Sequence, residues 1–210
     1  MTSSTARSLL VPALLLVAGC SASLSKEECR TVDWRTVGYE DGVAGRPGYR
    51  IGDHRRACAE YGVAPDLAAY TAGREAGLHE FCQAHNGYQV GASGQVYTGA
   101  CPADLAPAFE KSYDIGRELY VRGRRVSDTE EGISSRQREI RRLEDSLTRE
   151  AVVLVAEDST GEERAQSVID AKQAAERIGR YKAEIGSLER DLVQYRREYE
   201  DYRRTVPATY

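Results

Sequence analysis

IGRYKAEIGSLERDLVQYRREYEDY, residues 178–202, sets Ile178, Tyr181, Ile185, Leu188, Leu192, Tyr195, Tyr199 and Tyr202 at alternating spacings of three and four. Charged and small residues fill most of the positions between. An apolar seam of period 3.5, kept over three heptads, predicts a long helix packed along another helix. Upstream, Ile133, Ile140, Leu143, Leu147 and Leu154 follow the same rule with more gaps. Between the two runs lies Glu157-Asp158-Ser159-Thr160-Gly161-Glu162. There Ser159 with Glu162, or Thr160 with Glu163, can form a capping box that starts the second helix. The expected outcome is a long antiparallel α-helical hairpin (a coiled coil) over residues 127–204, with a tail at 205–210. Its first helix would be about 45 Å long and its second about 66 Å. A turn near Ser159 sets residue 190 opposite Asp128, so the end of the second helix lacks a partner in the first. That end carries Tyr195, Tyr199 and Tyr202, and it is expected to dock on Phe109, Tyr113, Ile115 and Tyr120. A parallel homodimer through the same seam is the alternative.

Residues 29–123 have a different character. They are rich in Gly and Tyr and hold four cysteines, Cys29, Cys58, Cys82 and Cys101. The change falls near Arg122-Gly123-Arg124-Arg125-Val126-Ser127, where Ser127 followed by Glu130 reads as the start of a new helix. An even cysteine count in an exported domain predicts two disulfides with three possible connectivities. Cys29–Cys58 and Cys82–Cys101 close local loops, although sequence leaves the choice open. Each bridge would contribute about 2–4 kcal/mol. The chain has two Phe and one Trp against thirteen Tyr. A thin core of this kind needs such staples. There is no Cys-x-x-Cys pair to suggest zinc.

Gly38-Tyr39-Glu40-Asp41-Gly42, Gly73-Arg74-Glu75-Ala76-Gly77 and Gly116-Arg117-Glu118-Leu119-Tyr120 share a Gly-x-Glu-x-(Gly/Tyr) pattern. An aromatic precedes each: Trp34, Tyr70 and Tyr113. Asp33, Asp66 and Asp104 lie upstream and suit helix N-caps. Three short helices with small-residue contact faces are expected, and a fourth over Asp53 to Tyr61. Between Cys82 and Cys101, Tyr88-Gln89-Val90 and Gln95-Val96-Tyr97 flank Gly91-Ala92-Ser93-Gly94, which predicts one short β-hairpin. The fold class is thus mainly α: a small disulfide-stapled helical domain with that β-hairpin, then the long helical hairpin.

The N-terminus reads as an export signal over residues 1–19. Arg7 is its positive region, and Leu9 to Ala18 form an apolar run too short to span a bilayer. Val17-Ala18-Gly19-Cys20 resembles the lipobox of bacterial lipoproteins. The resemblance implies lipidation at Cys20 and, with Ser21 following, an outer-membrane anchor facing the periplasm. Residues 20–28 would be anchor and tether. Several acyl chains at about 0.8 kcal/mol per buried methylene hold a protein on a membrane without a transmembrane helix.

A wider resemblance rests on Cys29…Trp34…Gly38-Tyr39-x-Asp41-Gly42…Gly45…His54…Cys58…Tyr70-x-x-Gly73-x-x-x-Gly77-Leu78…Cys82…Gly91…Gly94…Tyr97-x-Gly99-x-Cys101-Pro102…Phe109…Tyr113-x-x-Gly116. This pattern is similar to an uncharacterised family of bacterial envelope lipoproteins, the domain of unknown function 2799. The resemblance implies an envelope lipoprotein and supplies no catalytic residue.

Residues 1–19 hold one charge, Arg7, so cleavage leaves 28 basic and 33 acidic residues, net −5. Nucleic acid is not expected as a partner, since duplex binding needs clustered cations. His79 and His85 are weak metal candidates, being six apart rather than at the spacing of four that puts two histidines on one helix face. His54 reads as a packing residue. No cofactor and no enzymatic activity are expected. The arginines between 122 and 142 read as a solvated face, or else as a contact for anionic lipid or polymer. Two functions are in view. One is a lipid-anchored structural or interaction protein whose hairpin meets an envelope protein or polymer. The other is a glycan or small-ligand binder, or a hydrolase, using Tyr49, Tyr61, Tyr88 and Tyr97.

Overall fold

Glycines, rather than large side chains, set how the helices of the first half meet. A computed structural model describes residues 25–207. The helices are α1 (Lys26–Thr31), α2 (Trp34–Val43), α3 (Arg50–Ala59), α4 (Leu67–Phe81), α5 (Ala84–Ala92), α6 (Ala106–Val155) and α7 (Gly161–Thr205). Cys20 and the export segment lie outside the described residues. The part of the expected tether that is described runs into α1, closed by a capping box between Ser25 and Glu28.

Side chains chosen in the sequence cap α2 and α4. Asp33 accepts from the Arg35 N–H, and Asp66 from that of Ala69. These two helices pack face to face through Gly38 and Gly42 on one and Gly73 and Gly77 on the other. A Cβ on Gly38 would sit 2.0 Å from the Tyr70 carbonyl oxygen, and one on Gly73 1.9 Å from that of Arg35. Only backbone against backbone fits there. The bridge Cys29–Cys58 fastens α1 to α3 beside this pair, and Trp34 and Tyr70 fill the space around it.

The same unit occurs again. Gly87 and Gly91 of α5 pack on α6, where a Cβ would meet the Phe109 and Tyr113 carbonyl oxygens at 2.3 and 2.2 Å. Gly116 of α6 approaches the Tyr88 carbonyl as closely. Gly45 and Gly94 follow their helices at φ 61° and 78°, a backbone region open to glycine. Each lies against an aromatic ring, Phe81 in one unit and Tyr120 in the other. The first helices of the two units are offset by 49 residues and the second helices by 39, because the second linker lacks a counterpart of α3. Cys82–Cys101 staples this second core around Phe109. Of the three connectivities, the two local bridges are formed.

The expected β-hairpin is absent. Residues 84–92 are α5, and the stretch after Gly94 is extended without strand pairing among the described residues. Of the glycines that suggested a turn, Gly91 joins Gly87 in a helix contact face at i, i+4, and Gly94 follows the helix end. The third expected cap also differs. Asp104 lies before α6, whose N-cap is Leu105 with no side-chain bond and with proline in the first turn.

No helix starts at Ser127. α6 runs unbroken from the second glycine unit to the hairpin turn, about 75 Å. Inside a continuing helix the N–H groups after Ser127 already have carbonyl partners one turn back, so a capping side chain has nothing left to satisfy. α6 and α7 form the antiparallel hairpin, and Thr160 with Glu163 makes the capping box at the turn. Because α6 begins so early, the end of α7 keeps a partner along the same helix.

Candidate functional site

Two regions concentrate polar or exposed chemistry: a buried polar cluster in the first unit, and the distal end of the hairpin. In the cluster, Asp41 of α2 accepts from the Tyr70 hydroxyl at 2.8 Å and from His54 Nε2 at 2.8 Å, both on Oδ2. Arg50 of α3 reaches its other oxygen at 4.0 Å. The His54 ring stands edge-on to Trp34 and Tyr70. Burial, and then the bond to Asp41, hold the Tyr70 hydroxyl well above its ordinary ionisation range. A phenol so held is a donor and no nucleophile. By the 49- and 39-residue offsets, Asp41 and Tyr70 correspond to Val90 and Phe109, an apolar pair in the second core. The polar version accompanies α3, which contributes His54 and Arg50. The geometry therefore assigns the cluster to seating α3 on the α2–α4 pair.

The candidates read from sequence scatter over several surfaces. Cys29, Cys58, Cys82 and Cys101 are all consumed by bridges, so none is a thiolate ligand. His79 and His85 are exposed, on α4 and α5 respectively. Among the described residues no group of three His, Cys, Asp or Glu is placed to hold a metal ion. Tyr61 belongs to the first core and Tyr97 to the second, where its oxygen accepts from the Cys101 N–H at 3.0 Å. Tyr49 is 75 % exposed. Tyr61 and Tyr97 thus serve different cores, separated from one another.

The docking seam is formed in part. The Tyr202 hydroxyl donates to the Ile115 carbonyl at 3.3 Å, and the Tyr199 ring covers Gly123. The Arg122 and Arg125 guanidinium groups lie over the rings of Tyr202 and Tyr195, at 5.0 and 5.1 Å. Phe109 and Tyr113 do not receive α7. Phe109 is fully buried against Phe81 and Tyr97, and the Tyr113 hydroxyl donates to the Gln95 carbonyl. They point to the α5 side of α6, whereas Ile115 and Arg122 point to the α7 side. Three of the arginines expected on a solvated face instead bridge the helices. Arg125 reaches Glu198 at 3.3 Å, Arg122 reaches the same carboxylate at 4.0 Å, and Arg136 reaches Glu184 at 3.0 Å.

The hairpin tip is built differently from its base. Glu163 accepts from both the N–H and the hydroxyl of Thr160, which holds its carboxyl below the ordinary range. Arg164 ties back to the Ala156 carbonyl at 2.7 Å, and buried Ser167 donates to Glu150 at 2.6 Å. On either side of that crossing, apolar side chains face solvent: Val155 is 80 % exposed, Val152 61 %, Val168 56 % and Ile169 49 %. A shallow depression beside them is lined by Glu150, Val153, Asp158, Glu163, Gln166 and Asp170.

Two stapled, glycine-packed helix pairs continuing into an antiparallel hairpin define the class: a helical, disulfide-stapled domain with a projecting rod. Residues 33–118 match the family model described as a protein of unknown function (DUF2799). The match opens at the Asp33 cap and closes just past Gly116, so it encloses both glycine units and leaves most of the hairpin outside. No curated protein and no solved structure matches the chain.

Proposed function

We propose that the protein is a lipid-anchored lipoprotein of the cell envelope, held at the outer membrane through Cys20 and facing the periplasm, with a structural or protein-interaction role. The observation that carries this reading is the exposed apolar end of a stiff hairpin. The rod beyond residue 120 extends about 50 Å, and exposed large apolar groups collect at its far end. A rod with a charge-paired flank and an exposed apolar tip suits reaching a partner more than enclosing a small substrate. No helix among the described residues is long and apolar enough to cross a membrane, so attachment in this reading rests on lipid.

Two experiments test the proposal. Cys20→Ser should move the protein from the membrane fraction to the soluble fraction; retention in membranes with acylation intact contradicts the anchor. A photo-crosslinking residue near Ser159, in living cells, should yield a discrete adduct with an envelope protein or polymer.

A further inference from the structure

From the tip we infer that the hairpin end is a docking surface for a cationic amphipathic helix of a protein partner; this rests on the interaction reading above. Residues 150–170 hold six carboxylates and one cation, Arg164. Arg164 is occupied with the Ala156 carbonyl. The base of the rod differs, because there Arg122, Arg125 and Arg136 are matched by carboxylates of α7. Charge is therefore net negative over the tip, whereas residues 120–149 and 171–205 hold 17 basic and 13 acidic residues.

Apolar exposure follows the same division. Among the described residues, the exposed large apolar groups of the hairpin are Val121, Val152, Leu154, Val155, Val168, Ile169 and Val193. Five of the seven lie in the same tip segment that carries the excess carboxylates. Single exposed valines are ordinary on a protein surface; five large apolar groups exposed within one segment of net negative charge suit a binding patch. Val152 and Val155 are three apart on α6, one turn of helix, which is the spacing at which a partner helix lays down its own apolar residues. The excess of carboxylates then selects the partner's flanking residues as Lys and Arg. The same excess repels anionic lipid and nucleic acid.

The full-length protein can be titrated with an 18-residue Leu/Lys peptide of helical periodicity, its scrambled isomer, and a Leu/Glu peptide of the same pattern, at low and physiological salt. The inference expects the Leu/Lys peptide to bind at least about tenfold more tightly than the other two, with hydrogen-exchange protection confined to residues 150–170. Val152→Ser with Val155→Ser should weaken binding about tenfold. Glu157→Lys with Asp158→Lys should weaken binding of the Leu/Lys peptide about tenfold while leaving the helical signal and melting unchanged. Equal binding of the scrambled peptide, protection elsewhere on the chain, or undiminished Leu/Lys binding by the Lys variant overturns the inference. Cell crosslinking separates the two levels. A discrete tip adduct with a protein whose contacting segment is not cationic overturns the partner chemistry and leaves the interaction role standing. No tip adduct overturns both.

Discussion

Asp41 is the residue on which the first unit turns. It is almost buried, and it is the common acceptor for a hydroxyl and an imidazole from two different helices. Asp41→Ala leaves both donors unpaired in a tight core and should cost about 2–4 kcal/mol in urea unfolding. Tyr70→Phe removes one bond and should cost about 1–2 kcal/mol at neutral pH. The Tyr70 hydroxyl ionises above its usual value near 10. Its contribution is therefore complete below about pH 10 and is lost as pH rises beyond that. The gap in stability between wild type and Tyr70→Phe should accordingly narrow in alkali; a gap that stays constant to pH 11 contradicts the assigned bond. Sequence reading placed His54 as a packing residue without identifying this cluster. Its three members are far apart in the chain, and only the fold makes Asp41 their shared acceptor.

Helix by helix, glycines have opposite meanings according to what they face. Gly73→Ala drives a methyl into the backbone carbonyl of Arg35, where no side chain can yield. It should destabilise by at least about 3 kcal/mol, through separation of α2 and α4. Gly179 of α7 has nothing within 4 Å of its would-be Cβ. Gly179→Ala should stabilise by about 0.5–1 kcal/mol, as expected for an open helical site. Paired thermal melts check both signs. The caps of α2 and α4 and the period of α7 were legible because each is a local signal; the even cysteine count announced two bridges, and only the fold selects their connectivity. α5 was not. Its Tyr-Gln-Val and Gln-Val-Tyr runs alternate as a strand would, and the glycines between them look like a turn. The available signal was the likeness of Gly38-Tyr39-x-x-Gly42-x-x-Gly45 to Gly87-Tyr88-x-x-Gly91-x-x-Gly94, which reveals a duplicated helix. The continuity of α6 was hidden for a related reason: a capping signature at Ser127 is locally valid, and only the preceding helix makes it redundant.

For the whole molecule, α6 joins the stapled base to the rod, so the two cannot hinge at Ser127 without breaking a helix. The end of α7 closes on this same helix beside the second glycine unit. Tyr202→Ala removes its bond to the Ile115 carbonyl and its stacking under Arg122, and should lower the stability of the base by about 1–3 kcal/mol. If melting of the base is unchanged, α7 is a free arm and the rod is not rigidly mounted. A mounted rod is what holds the exposed valines at its far end at a fixed distance from the stapled base. The family match ends within α6, so it encloses the duplicated base and leaves most of the rod outside. The most direct test places a photo-crosslinking residue at Val155, and separately at Tyr49 on the base, in cells producing the full chain. The account predicts a discrete envelope adduct from Val155, abolished when residues 152–155 are scrambled, and none of the same mass from Tyr49. Adducts from Tyr49 alone, or a Val155 yield no higher than the scrambled control, would contradict it.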